Sequence, residues 1–256
     1  MRLTRHNGRA GKHGTYNPKH NDRSFDLENS EHINAELAKK NVYWDCYNGF
    51  RSLAKEELLA DTFEEVEEMF YSSQYRNHVE SQNQRNEKNR HPERNRTTSD
   101  LLKNKKTAPE ETIFQIGTID NHVPPEILLQ VVTDFLVELD TRFGKNVHIL
   151  DWALHLDEGT PHIHERHVFD CENSYGEVAP QQEKALEELG FELPDPTQKP
   201  SKINNRKKTF DSVCRVILFN ITKKYGLDLE EEPEYGGRAY LEKQDYILMK
   251  QKQQME

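Results

Sequence analysis

Histidines are concentrated in one stretch of this chain: four of its 12 histidines lie between positions 155 and 167. Side chains alternate between the two faces of a β-strand, so a strand that begins at His162 places His164 on the same face and His167 on the opposite one. A tight turn before that strand would bring His155 beside the pair. Three neutral imidazoles suit a borderline divalent cation and leave coordination positions open. The spacing predicts a catalytic metal site; the alternative is a histidine-rich surface hairpin without an ion.

Two other kinds of catalytic site do not fit these residues. His164 and His167 lack the four-residue helical spacing of the H-E-x-x-H zinc proteases. Cys46, Cys171 and Cys214 are too few and too scattered for a disulfide scaffold or a four-cysteine zinc site, and none lies in a recognisable nucleophile elbow. Such sparse cysteines favour a reducing, cytoplasmic setting.

The hydropathy of the chain excludes a membrane span. No run approaches the roughly 18 consecutive apolar residues that a span needs, and the first residues lack the apolar core of a secretory signal. Hydrophobic residues make up 34% of the chain and charged residues 31%. This composition predicts that part of the chain lies in solvent-exposed helix or linker.

The charge is segregated along the chain. The net charge is −10, yet residues 76–106 carry nine lysines and arginines against four acids, and residues 199–208 carry five without an acid. Such patches can bind a polyanion whatever the overall sign. The alternative is that they are solvated surface.

The first third of the chain is expected to form mostly polar structure. Residues 1–35 lack a helical or strand period and predict an irregular arm. The aromatic segment 41–49 predicts a short strand, and Ser52 can cap a helix that runs to Tyr71. Residues 72–108 have almost no apolar positions and predict either a polar helix extension or a mobile basic linker.

The remainder predicts compact α/β structure around the histidines. Apolar residues recur every four positions in a helix that Pro125 opens and that ends near Gly144. Strands are expected at 112–119, 146–157 and 162–170, a Pro- and Glu-rich insertion at 176–200, a helix at 207–225 and the start of another at 240–256. One face of the strand before the turn should be the core face, and it carries Leu150, Trp152, Leu154 and Leu156.

Two motifs together resemble one protein family. The segment His155-Leu-Asp-Glu-Gly-Thr-Pro-His-Ile-His164 resembles the H-x-D-E-x-T-P-H-x-H metal motif of the Mob/Pre plasmid mobilisation relaxases, the MobV class of HUH endonucleases. The segment Lys19-His-Asn-Asp-Arg-Ser-Phe-Asp-Leu-Glu-Asn-Ser-Glu-His-Ile-Asn34 is similar to the first motif of that family. The two motifs are independent and occur in the order that the family has.

This resemblance implies a fold and an activity. The fold would be α+β: an HUH-type antiparallel sheet with helices packed on one face, an N-terminal catalytic arm and a polar, basic helical extension. The activity would be site-specific nicking of one DNA strand at a transfer origin, through a covalent 5′-phosphate intermediate, for mobilisation or recombination. The implied cofactor is a divalent metal, Mn²⁺ or Mg²⁺.

The resemblance also assigns residues to roles. His155, His162 and His164 would hold the metal, and Glu158 would be the acidic residue beside it. His20 would be the nucleophile, because this class resembles one that attacks phosphorus with histidine, and a neutral imidazole is a competent nucleophile near pH 7. Arg23 could pair with phosphate or orient the site. The fallback nucleophiles are Tyr16, Tyr43 and Tyr47.

DNA is the implied partner, single-stranded or as a hairpin near the nick. The predicted contacts are Lys19, Asn21, Arg85, Arg90, Arg94, Arg96, Lys202, Arg206, Lys207 and Lys208. A homodimer could form through a C-terminal helical region. The rival function is a non-catalytic origin-binding protein of a mobile element; a phosphoesterase for small substrates is disfavoured by the basic segments.

Three features depart from the family pattern. Glu165 and His167 fall on the expected core face, so the strand is interrupted there or a further polar layer lies above it. Segment 176–200 has no counterpart, and the chain ends short of the long helical region of the family. The expected division is residues 1–50 for the arm, 51–110 for the charged helix and linker, 111–230 for the metal-binding core, and 231–256 for the start of the C-terminal helical region.

Overall fold

The computed structural model describes residues 1–7, 17–25, 33–51 and 61–230. Three expectations fall outside these ranges: the helix start at Ser52, the fallback nucleophile Tyr16 and the helix from position 240. The homodimer expected through that last region therefore stays a prediction. No helix in the described ranges is both long enough and apolar enough to cross a membrane.

An antiparallel sheet forms the centre of the described structure. Its strands are β1 (Leu3–Asn7), β2 (Val42–Asp45), β3 (Gly49–Phe50), β4 (Glu110–Ile116), β5 (Val147–His155), β6 (His162–Glu172) and β7 (Val178–Pro180). Six of them lie in the order β1-β4-β6-β5-β2-β3, and β7 pairs with the end of β6. The N-terminal segment, expected to be irregular, supplies β1, whose five residues pair with β4.

Helices flank the sheet. They are α1 (Pro18–Asn21), α2 (Ala35–Ala38), α3 (Phe63–Lys88), α4 (Thr98–Lys103), α5 (Pro125–Phe143), α6 (Gln182–Glu188) and α7 (Arg206–Lys224), with a 3₁₀ turn at Pro92–Arg94. The expected helices near 125–144 and 207–225 are thus confirmed. Insertion 176–200 contains β7 and α6.

The two faces of the sheet bury different helices. On one face, α5, α6 and α7 pack against the main core, which includes Phe114, Phe135 and Phe210. On the other face, α3 and α4 pack over a smaller cluster that contains Leu150 and Val168. The expected α+β class is confirmed, but the expectation that helices cover one face is wrong, because α3 has its own apolar stripe.

That stripe explains why the polar segment after Tyr71 is helical. Tyr71, Tyr75 and Val79 recur every four residues and are buried against the sheet, while the other helix residues after Tyr71 are polar. Thr62 begins the helix with a capping box in which its side chain and that of Glu65 bond each other's backbone N–H. Of the two alternatives for residues 72–108, the helix extension is confirmed as far as Lys88.

A β-bulge in β5 changes which side chains face the core. The register with β6 shifts between Ile149 and Asp151, so Leu150 joins the cluster under α3 while Trp152 and Leu154 stay in the main core. The expectation that Leu150 shares their face is therefore wrong. After the bulge, Asp151 lies opposite Arg166 on β6.

A polar layer separates β6 from α7. Glu165 and His167 are buried on this face, and the His167 Nδ1 lies 3.0 Å from Glu165. Lys207 of α7 pairs with Glu110 at 3.0 Å and with Asp211 at 2.7 Å. Burial lowers the pKa of His167, but the Glu165 and Glu110 carboxylates outweigh it and raise this pKa to about 9. The strand is continuous, and the further polar layer exists.

A buried ion pair joins α3 to the sheet. The Arg166 guanidinium on β6 donates to both carboxylate oxygens of Glu67 on α3, and its Nη1 lies 3.6 Å from Glu111 on β4. The side chains of all three residues are at most 4% exposed. These charges fix the position of α3 over the histidine end of the sheet.

Replacing Arg166 should destabilise the fold strongly. Arg166→Met leaves two buried carboxylates without their cation, so the free energy of unfolding in urea should fall by about 3–5 kcal/mol. The matched control is Arg142→Met, which breaks an exposed pair with Glu138 and should cost less than about 1 kcal/mol. Equal losses in the two variants would contradict this account.

Candidate active site

The hairpin between β5 and β6 gathers the predicted histidines. His155 ends β5 directly opposite His162, which begins β6, and Ala153 lies opposite His164. Paired residues of an antiparallel sheet point to the same face. The ring centroid of His155 lies 5.3 Å from that of His162 and 4.9 Å from that of His164. The centroids of His162 and His164 lie 4.9 Å apart.

The groups that could hold a metal ion include two further residues. In the described ranges, ligand atoms lie within 4.8 Å of one another in two triples: His20 with His155 and His164, and His155 with Glu158 and His162. The expected triple of three hairpin histidines is not itself such a set. His155 belongs to both triples, so it lies at the centre of the cluster.

Hydrogen bonds fix the tautomer of each hairpin histidine. The His155 Nε2 donates to the Asn21 carbonyl at 2.8 Å, the His162 Nδ1 to the Thr160 carbonyl at 2.8 Å, and the His164 Nδ1 to Glu111 at 2.9 Å. Since carbonyl and carboxylate oxygens only accept, each ring in its neutral form has its lone pair on the opposite nitrogen. Metal-ligating histidines are oriented in this way by their outer partners.

The cluster fits a cation at an atom that otherwise has no partner. The His155 side chain is fully buried, and among the described residues no hydrogen bond reaches its Nδ1. Burial, followed by the charges of His164 and Arg23, lowers the pKa of His155 well below its usual value. The pKa of His162 is lowered by the same burial. Neutral imidazoles with free lone pairs are the form that binds a divalent ion.

The N-terminal arm is attached to this cluster by Asn21. Besides accepting from His155, Asn21 donates from its Nδ2 to Glu111 at 3.1 Å, and its side chain is buried. Asn21 was expected to contact DNA; its burial makes it a structural link between α1 and the histidines instead. One residue earlier, His20 remains 39% exposed.

Arg23 bonds the N-terminal arm to the turn between β5 and β6. Its guanidinium makes two bonds of 2.8 Å to Asp157 and one of 2.6 Å to Glu158, and its Nη1 donates to the His20 carbonyl at 2.9 Å. The Arg23 side chain is only 3% exposed. Of the two roles expected for Arg23, this geometry favours orienting the site over pairing with phosphate.

His20 lies above the hairpin rings. Its ring centroid is 5.6 Å from that of His155 and 5.4 Å from that of His164. The Glu158 Oε1 lies 3.6 Å from its Nε2. Burial, then the charges of Arg23 and His164, lowers the pKa of His20. The structure therefore presents a neutral, partly exposed imidazole beside the candidate metal ligands.

Tyr43 and Tyr47, the two fallback tyrosines within the described ranges, have other contacts. The Tyr43 hydroxyl accepts from Asn41 at 3.3 Å, and burial raises its pKa, which disfavours the phenolate. Tyr47 is exposed, and its hydroxyl lies 3.3 Å from Ser73 on α3. Neither belongs to the two groups of candidate ligands.

Three site residues were not singled out from the sequence. Glu111 orients His164 from β4, 53 positions away along the chain. Asp157 is a buried partner of Arg23. Asn41 accepts from the Leu156 backbone N–H at 2.8 Å and secures the start of the turn. Glu111 follows another glutamate at the start of a strand, which gives no local signal of its role.

Several predicted DNA contacts have their charges paired within the protein. Arg85 makes bonds of 2.6 and 2.8 Å to Glu177, and Arg206 pairs with two acids of α6. Lys19 pairs with Glu64 at 2.9 Å while half exposed. Lys207 is buried against Glu110. Burial therefore removes Lys207 from an accessible basic surface, a correction to that expectation.

The other predicted contacts are more accessible. Arg90 lies just beyond α3, and Arg94 and Arg96 follow in the turn before α4. All three are exposed, as is Lys202, and Lys208 is half-buried. Within the described ranges, the end of α3 is thus the more accessible of the two basic regions.

No family model and no curated protein matches this chain. Among solved structures, the fold is similar to relaxase domains of the MOBV (Mob_Pre) class. Two of these are structures of the MobM relaxase domain bound to plasmid pMV158 oriT DNA, both with Mn bound. Each of the two is 13% identical to this chain. The matches cover 94% of this chain and 98% and 99% of the two relaxase chains, and their TM-scores are 0.49 and 0.47. The family named by these structures is the one that the two sequence motifs resemble.

The hydrogen bonds of the hairpin predict a specific tautomer for each ring. Nitrogen-15 NMR of the metal-free protein should show His162 and His164 protonated at Nδ1 and His155 protonated at Nε2. Glu111→Gln should change the His164 signals and leave those of His162 unchanged, because the amide replaces a charged acceptor at one ring only. A His155 ring protonated at Nδ1 would contradict the arrangement.

Proposed function

We propose that this protein is a metal-dependent DNA relaxase that nicks one strand of a transfer origin with His20 as its nucleophile. The observation that carries the proposal is the arm geometry. Asn21 and Arg23, one and three residues after His20, are bonded to the hairpin, and they hold a neutral imidazole above three tautomer-fixed histidines. Binding DNA alone requires no such convergence.

The metal would be held by His155, His162 and His164, with Glu158 at their side. Their free nitrogens are His155 Nδ1, His162 Nε2 and His164 Nε2, and the Glu158 oxygens lie 3.9 Å from the first and 3.7 Å from the second. A bound divalent cation, Mn²⁺ or Mg²⁺, would polarise the scissile phosphate and neutralise charge that develops on it.

His20 would attack phosphorus directly. An N–P bond forms and the bond between phosphorus and the 3′ oxygen breaks, so the 5′ phosphate stays on the protein. The leaving 3′ oxygen gains a proton, and the imidazole loses the proton on its other nitrogen. The lowered pKa of His20 keeps its lone pair available near pH 7.

Glu158 and Arg23 would both assist His20. The Glu158 carboxylate is 3.6 Å from the His20 Nε2, close enough to orient the ring or receive its proton after a small movement. Arg23 holds both His20, through its carbonyl, and Glu158. We therefore assign Arg23 a positioning role and Glu158 a catalytic one.

The basic end of α3 would bind the flanking DNA. The helix begins beside the arm, where the Phe63 N–H donates to Asp22 at 2.7 Å. Its 26 residues extend for about 39 Å at 1.5 Å per residue. Arg90, Arg94 and Arg96, which follow that end of the helix, would then contact DNA away from the reacting phosphate.

The decisive test uses the nucleophile. His20→Ala should reduce nicking of a supercoiled plasmid that carries the adjacent origin by roughly a thousandfold or more, because no bond to phosphorus can form. Metal binding and non-covalent DNA binding should persist, and the exposed control His91→Ala should nick normally. Wild-type adducts should be acid-labile and stable in alkali.

Two results would overturn this assignment. Mass spectrometry of the trapped adduct could locate DNA on a peptide with Tyr16, Tyr43 or Tyr47 while His20 is unmodified. Origin binding without open circles, in the presence of Mn²⁺, would instead establish the non-catalytic alternative.

Loss of one hairpin ligand should weaken metal binding. We expect His162→Ala and His164→Ala each to reduce Mn²⁺ affinity in calorimetry by more than about a hundredfold, since outer partners alone contribute tenfold to a hundredfold. His148→Ala is the matched control, because His148 lies on β5 and bonds Asp170 instead. Equal Mn²⁺ affinity in the wild type and the three variants would contradict the proposed metal site.

Salt dependence tests the DNA surface. Contacts to about five phosphates of a single strand predict a slope near −3.5 for log K against log salt. Neutralising Arg90, Arg94 and Arg96 together should reduce the slope by about 2. Arg206→Gln should change it little, because Arg206 is already paired with acids on α6. A flat dependence in the wild type would exclude these residues as phosphate contacts.

A further inference from the structure

One carboxylate lies between the candidate metal ligands and the N-terminal arm. Glu111 on β4 accepts from the His164 Nδ1 at 2.9 Å with one oxygen and from the Asn21 Nδ2 at 3.1 Å with the other. The backbone carbonyl of Asn21 accepts from the His155 Nε2 at 2.8 Å. Two candidate ligands and the residue that follows His20 therefore belong to one chain of hydrogen bonds.

Water has little access to this chain of bonds. All four of its residues are buried, and Asn21 and Glu111 are each 1% exposed. The Arg166 Nη1 is 3.6 Å from Glu111 and supplies a counter-charge. Hydrogen bonds in a buried network strengthen one another, and the loss of one leaves unsatisfied groups behind. A change at one end of the chain should therefore affect the other end.

A cation on the two rings would change the bonds behind them. The nitrogens left for an ion are the His155 Nδ1 and the His164 Nε2, each opposite the nitrogen that donates in the chain. Coordination draws electron density from an imidazole, so its remaining N–H donates more strongly. An acceptor on that N–H in turn makes the ring a better ligand. The two acceptors are the carbonyl of Asn21 and the carboxylate that the Asn21 side chain contacts.

We propose that Asn21 and Glu111 couple the metal site to the arm, so that binding of a divalent ion and docking of residues 17–23 favour each other. Both are positioning residues, and their effect would be to fix His20 most firmly when the ion is bound. The coupling rests on the metal binding of the proposed function but not on its nicking step. Because coupling is reciprocal, the same factor should appear in the metal affinity and in the stability of the docked arm.

Other contacts keep the arm docked when this chain of bonds is broken. Arg23 is bonded to Asp157, and Asp22 accepts from the Phe63 N–H. A variant of the Asn21 side chain should therefore change the coupling while the arm remains folded. Circular dichroism and thermal unfolding of each variant verify this.

Mn²⁺ calorimetry with an exchange of donor and acceptor tests the coupling. Asn21→Ala removes the side-chain donor but keeps the backbone carbonyl, and it should lower Mn²⁺ affinity by about tenfold. Asn21→Asp sets two buried carboxylates against each other and should lower the affinity further. Adding Glu111→Gln to Asn21→Asp should recover much of the loss, because the new amide can accept from His164 and donate to the new carboxylate. The matched control is Asn7→Ala, which loses an amide bond to Asp211 and should bind Mn²⁺ as the wild type does.

Hydrogen exchange of residues 17–23, followed by mass spectrometry, gives the reciprocal measurement. Saturating Mn²⁺ should slow exchange of this segment in the wild type by at least about tenfold. In Asn21→Ala, the protection by Mn²⁺ should be smaller by the same ratio as the metal affinity. Peptides from α5 should exchange equally with and without the ion.

The outcomes separate the coupling from the proposed function. The coupling is overturned, and the metal site is kept, if the wild type binds Mn²⁺ without slower exchange of the arm. It is also overturned if Asn21→Ala binds Mn²⁺ as tightly as the wild type, if Asn7→Ala loses as much affinity, or if the double variant binds no better than Asn21→Asp. A wild type that binds no Mn²⁺ contradicts both proposals. Coupling without nicking of the origin plasmid supports this inference and contradicts the relaxase activity.

Discussion

The ion pair between Arg23 and Asp157 is the constraint on which the site depends. It joins an N-terminal arm to a turn 134 positions later, with both partners buried. Because a guanidinium and a carboxylate form two parallel hydrogen bonds, the pair fixes orientation as well as distance. His20 is three residues from Arg23, so its place above the hairpin follows from this contact and from the Asn21 carbonyl that accepts a hydrogen bond from the His155 Nε2.

Buried charge is used on both faces of the sheet, for different purposes. Under α3, Arg166 links Glu67 to Glu111, and Glu111 in turn orients His164. Above the other face, Glu165 and His167 form a layer with residues of α7 and β4. Isolated buried charges are costly, and pairing compensates most of that cost. The site is therefore connected to two helices through ion pairs.

Much of the candidate site was predictable from local sequence. Strand alternation alone placed His162 and His164 together and His167 on the opposite face, and the turn residues placed His155 beside them. The hydrogen bonds that select the tautomers were not predictable, because Glu111 and Asn21 are distant in sequence and neither type is unusual in its place. The β1 strand was missed because its polar residues pair with β4 and with Asp211 instead of alternating with apolar ones.

The bulge at Leu150 divides β5 into two stretches of opposite phase. Before it, Val147 and Ile149 face the main core and His148 faces α3. After it, Trp152 and Leu154 face the main core and His155 faces the other histidines. Substitutions before the bulge can therefore change core packing without altering which way His155 points. An insertion of one residue between Asp151 and His155 would reverse that direction and place an imidazole in the apolar core. The short segment after the bulge should thus not tolerate changes of length.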